Sequence, residues 1–309
     1  MNTPDKPKKP LKIPIWGAFL LNAGDYLATW FLMDGIYIYT IFTFFPGSPI
    51  SRFEFLIAHI MGMVIATIVM FAGLGAGVLW IPILTFLHVK PSEAVSISLF
   101  TQITGKGIGS FNYFRSGLID MKVSSYFIPF AFIGVALGYG AGFIISQEYE
   151  RMLLYLFVGV AFYLLAWMIA SLNQNPNDYK GPPDPDALKK SRMIVIISSF
   201  FTGLLSIGNN DWLIPHMERH LNMNTSRAIA TGLFVMFTCS LFFLFLTTLG
   251  VFTGIQQWPQ SSPVLFATCS GVIMGGQIGT RLVHVSWLKN HQKHAFILML
   301  CLSIIHLLW

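Results

Sequence analysis

From Phe53 to Leu87 the chain stays apolar for about 35 residues, and inside that run GLGAGVLWIP (Gly73 to Pro82) places three alternating glycines ahead of a proline. A continuous helix of that length would be about 50 Å long, against a hydrocarbon core of about 30 Å. The glycines and proline resolve the excess by dividing the run into a spanning helix and a half-helix, or by kinking it sharply. Amides released from helical pairing find no partner in lipid, so the break belongs inside protein or along a cavity. GNNDWLIP (Gly208 to Pro215) repeats the spacing, with Gly208 and Gly75 equally far from their prolines.

Composition sets the solvent. Hydrophobic residues make up 54% of the 309, charged residues only 10%, and the mean hydropathy is +0.65. A soluble chain could not carry this, so the expectation is an integral, polytopic membrane protein. The net charge of +6 includes Lys6, Lys8, Lys9 and Lys12 on the N-terminal tail, which fits membrane orientation better than nucleic-acid binding. The apolar stretch behind that tail is too long for a signal-peptide core and reads as an uncleaved anchor. Cys239, Cys269 and Cys301 lie in apolar segments without metal-like spacing. They predict neither disulfides nor a metal site, and no motif calls for a cofactor.

The expected order is a cytoplasmic tail (1–12), an additional N-terminal transmembrane segment (13–52), a first repeat (53–172), a hydrophilic linker (173–192) and a second repeat (193–309). The linker is rich in proline and charge, which suits an extended connector. Pro215 placed on Pro82 aligns the breaks, and one extra residue then brings Ala228 onto Ala94. Gly134, Gly138 and Gly142 match Gly271, Gly275 and Gly279, small residues at every fourth position that let helix backbones approach. Such duplication is common in secondary transporters. The predicted fold class is all-α and polytopic: two four-helix-like repeats with broken helices plus the extra N-terminal helix, about nine spans. Orientation depends on the breaks. If every apolar element crosses once, the linker bases fall outside; if the half-helices turn back, sidedness changes after each.

The order GLGAGVLWIPIL, Ala94, then GGQIGTRL (Gly275 to Leu282) resembles the TauE/SafE family of sulfite and organosulfonate exporters, over about Phe53 to Trp309. The second break departs from the family's glycine-rich pattern with Asn209, Asn210 and Asp211, and the first does so at Ala76. The resemblance implies a bacterial inner-membrane carrier of small sulfur-containing anions, driven by an ion gradient. It would work by alternating access as a monomer or as an oligomer such as a homodimer. Its partners would be a small anionic substrate, a coupling proton or cation and membrane lipids. The alternatives are an anion channel and an intramembrane enzyme. The chain lacks GxxxxGK[ST], GxSxG and HExxH motifs, and HMERH (His216 to His220) has the wrong spacing for the last.

An anion at depth needs donors or positive charge. The half-helix N-termini offer both, with Gly75, Ala76 and Gly77 keeping backbone reachable and Asn209 and Asn210 adding side-chain amides. Lys106 and Arg281 are the basic candidates, although each lies near an expected helix end, where snorkelling competes with substrate contact. Gln102 and Gln277 are polar candidates on the same two helices. Asp211 and His59 are candidates for coupling, and Trp80 and Trp212, inside the breaks, for gating. Asp25 and Asp34 are left outside the site, and no residue is assigned to catalysis.

Overall fold

The computed structural model describes residues 52–72, 75–86, 89–148, 150–170, 185–256 and 262–282, with isolated positions before and after these. The expected N-terminal span with Asp25 and Asp34, Gly73, linker residues 173–184 and most of residues 283–309 lie outside the described residues.

The first half contains α1 (Arg52–Ala72), α2 (Gly77–Phe86), α3 (Pro91–Arg115), α4 (Met121–Glu148) and α5 (Glu150–Ala170). A short α6 (Pro185–Lys190) precedes α7 (Arg192–Leu205), α8 (Asn210–His220), α9 (Thr225–Phe252) and α10 (Ser262–Leu282). The protein is an all-α membrane protein. Among the described residues, Met121–Ile145, Arg151–Ile169 and Thr225–Phe252 are long and apolar enough to cross a bilayer.

Matching helices start by different local devices. Pro91 opens α3 at its first turn, with Glu93 beside it, a position where the missing N–H costs nothing and an acid favours the helix dipole. The corresponding α9 is capped by Asn224, whose side chain accepts the Arg227 N–H at 2.8 Å. α7 ends on Ser206, which adopts a left-handed φ of 56°. For a residue with a Cβ this conformation costs on the order of 1 kcal/mol.

The halves pack by exchanging partners. α1 lies along α10, and α7 lies in the same way along α4. Gly271, Gly275 and Gly279 pass His59, Met63, Thr67 and Phe71 in rising order, while Gly134 and Gly138 pass Ile196, Phe200 and Leu204. Each pair is therefore parallel. A Cβ at any of these glycines would run into the neighbouring helix's backbone. The glycine stripes thus acquire a defined job, which is to seat the opening helix of the other half. α3 and α9 meet in the middle, each also holding the half-helix that precedes it: α2 on α3 and α8 on α9.

α8 turns back toward the face from which α7 enters. The Trp212 and Phe201 rings lie 5.4 Å apart, His216 Nε2 is 2.8 Å from Ser191 Oγ just ahead of α7, and Arg219 sits 5.3 Å from the Trp167 ring near the end of α5. Of the two topologies left open by the sequence, the second half follows the one in which the half-helix returns.

Candidate functional site

The two breaks meet. A Cβ on Gly75 would collide with Gly208 N and Cα, one on Gly208 with Gly75 Cα, and one on Gly77 with the Ser206 carbonyl. Only residues without a side chain allow backbone from the two halves to come this close. The left-handed turn at Ser206 presents that carbonyl to Gly77, so the strained residue belongs to the junction.

α3 adds polar side chains along one face. Ser98, Gln102 and Lys106 follow at intervals of four and are all buried, so they stack on consecutive turns. Gln102 Nε2 donates to Ser206 Oγ at 2.9 Å, and Ser206 Oγ donates to Ser98 Oγ at 2.8 Å. Lys106 Nζ reaches Asn210 Oδ1 at 3.4 Å. Of the two roles that compete for Lys106, snorkelling is excluded, because α3 continues to Arg115 and the lysine is 0% exposed. A fully desolvated ammonium needs charge or dipoles around it. Asp211 supplies the charge and lies within electrostatic reach, but no direct ion pair joins the two among the described residues.

Asp211 Oδ1 accepts the Gly75 N–H at 2.7 Å across the junction, while Oδ2 is buried without a hydrogen-bond partner. Asn209 Nδ2 donates to Ser199 Oγ at 3.2 Å and Cys239 Sγ at 3.4 Å, leaving its Oδ1 buried and unpartnered. Gln102 Oε1 is in the same condition. The junction therefore combines one buried cation, one buried carboxylate, two half-helix N-termini and polar atoms whose hydrogen-bonding capacity is unused.

Of the residues expected from sequence, Gly75, Ala76, Gly77, Gln102, Lys106, Asn209, Asn210 and Asp211 come together here. Trp80 and Trp212 are both buried. Trp212, next to Asp211, also forms part of the wall of a cleft of about 610 Å³ lined by Tyr163, Trp167, Ile197, Phe201 and His216. It thus stands between the polar junction and an apolar space. His59 lies apart, about 20 Å back along α1 from its broken end, with Nδ1 2.7 Å from Ser270 Oγ. Gln277 Oε1 accepts from Asn112 Nδ2 at 3.1 Å and ties α10 to α3. Arg281 follows one turn later, at the end of α10.

Sequence reasoning missed Ser98, Ser199, Ser206 and Cys239. The four-residue spacing of Ser98, Gln102 and Lys106 was a readable signal. Cys239 and Ser199 carried none, since only the fold brings them to Asn209.

Discontinuous helices meeting at the centre, with buried charge where they meet, define an integral membrane protein of the permease type. The chain belongs to the sulfite exporter TauE/SafE family, whose model matches residues 58–307. Members of this family are transporters rather than enzymes. Comparison with curated proteins finds no match to the chain, and neither does comparison with solved structures.

Proposed function

We propose that the protein is a secondary transporter that exports a small sulfur-containing anion, such as sulfite or an organosulfonate, by alternating access coupled to a proton gradient. The observation that carries this reading is the meeting of the two breaks beside buried Lys106. The amides of Gly75, Ala76 and Gly77, at the opening of α2, supply partial positive charge, and Lys106 supplies a full one. Gln102, Asn209 and Asn210 line the site, with the amide nitrogens of Gln102 and Asn209 already donating to Ser206, Ser199 and Cys239, so the converging donors are the backbone amides and Lys106. Sulfur oxyanions suit this set, because three oxygens on one centre can accept from several converging donors at once. The reciprocal packing of α1 with α10 and α4 with α7 gives each half one rigid element to move against the other.

The returning half-helix also supports a sidedness. Following the packing from helix to helix, Arg115, Lys122, Lys190, Arg192, Arg219 and Arg227 fall near the face where α5 ends and α7 begins. Arg52, Lys90 and Arg151 sit at helix starts on the other face. The excess of bases favours a cytoplasmic linker face.

Counterflow in proteoliposomes tests the reading. A carrier shows saturable, trans-stimulated uptake of labelled sulfite or sulfoacetate. Ohmic current without saturation would replace it with the channel reading.

A further inference from the structure

Resting on the anion-site reading above, we infer that Asp211 is a built-in stand-in for the transported anion, holding the same amide the substrate must take, so that substrate binds only together with a proton. Three observations carry this. Asp211 belongs to the second half, yet its Oδ1 accepts the Gly75 N–H of the first, 136 residues away in sequence. That N–H leads into the opening of α2, where an incoming anion would dock. Asp211 Oδ2 lies against the place where a side chain on Gly75 would be, so the carboxylate covers this backbone instead of pointing away from it.

Charge balance makes the exchange obligatory. Among the described residues, Lys106, facing Asp211 from α3, is the buried cation at the junction, and Cys239, from α9, is the other titratable group near the pair. The first break and the end of α7 add no ionisable side chain: they present Gly75, Ala76, Gly77, Leu205 and Ser206. With Asp211 ionised, the pair is already neutral, and an anion would bring an uncompensated charge into a desolvated site. Protonation of Asp211 weakens its hold on the Gly75 N–H and leaves Lys106 free to balance the anion. The proton goes onto the Asp211 carboxylate, no covalent bond to the substrate forms, and both leave together when the site opens to the other side. Anion and proton thus travel in the same direction. Net flow follows the sum of their gradients.

The test uses methanesulfonate as the probe, because it is a monoanion throughout this range and pH then acts through the protein. Binding to the full-length purified protein is followed by thermal shift between about pH 5.5 and 8. For the wild type, the apparent affinity should fall by up to about tenfold per pH unit above the Asp211 titration, as linkage to one proton requires. Asp211→Asn keeps the shape and removes the charge; its affinity should stay level at the low-pH value of the wild type. Proton uptake on binding, read with a pH dye on the wild type alone, should approach one proton per anion and does not depend on the variant folding. A level wild-type profile with no proton uptake overturns the inference while leaving the anion site standing, as does an Asp211→Asn protein that keeps the wild-type slope. Absence of sulfonate binding at every pH overturns the function on which the inference rests.

Discussion

The first break meets the second with bare backbone. Gly75, Ala76 and Gly77 bring amides and almost no side chain, and Val78 stands where the second break has Asp211. The second break brings Asn209, Asn210 and Asp211, all buried. On the long helix behind each break the imbalance runs the other way: α3 carries Lys106, and the aligned position on α9 is Ser240. Each half thus holds one of the two groups of opposite charge, and they lie within electrostatic reach because the halves meet. The groups gathered at the junction therefore come from both halves.

The largest expected effect comes from closing the contact between the breaks. Gly75→Val, and equally Gly208→Val, should cut counterflow by about 100-fold or more while insertion and expression persist, since displacements of about 1 Å suffice for losses of that size. Near-normal flux in either variant would show that the breaks need not touch. Lys106→Met comes next. Removing a charged donor should weaken sulfonate affinity by about tenfold to 100-fold, with Lys106→Arg recovering part of it. Unchanged affinity in the Met variant would move the positive charge of the site elsewhere.

The symmetry of the scaffold is tested by Gly138→Leu and Gly275→Leu, at matched places on α4 and α10. Both should destabilise, by about 1 to 3 kcal/mol each, because each drives a side chain into the opposing backbone. A large difference between their melting temperatures would break the reciprocal packing. The smallest effect is expected at His59. Its bond to Ser270 joins α1 to α10 far from the breaks, so His59→Ala should change flux by less than about twofold. A strong change in pH dependence there would return the coupling role to that histidine.

Much of this architecture is written locally. Excess helix length, the glycine and proline at each break and the four-residue glycine spacing are properties of short segments, and they announced the breaks and the close helix pairs. The partners of those glycines were not legible: α10 seats α1 and α4 seats α7 across the two halves, which no local pattern specifies. Lys106 illustrates the same limit. Its distance from an apparent helix end suggested an interface, whereas continuation of α3 to Arg115 buries it completely. The bond from Gly75 to Asp211 was beyond reach for a different reason. A backbone N–H has no sequence signature, and its acceptor comes from the other half of the chain.

Where the anion sits distinguishes the junction from every other polar position in the protein. A structure of the wild-type protein with bound sulfite or sulfoacetate, prepared at low pH, should place the anion's oxygens against the amides opening α2, with Lys106 and Asn210 in contact and the Asp211 carboxyl drawn away from Gly75. An anion bound at Arg281 or His59, with the Gly75 to Asp211 hydrogen bond intact, would contradict it.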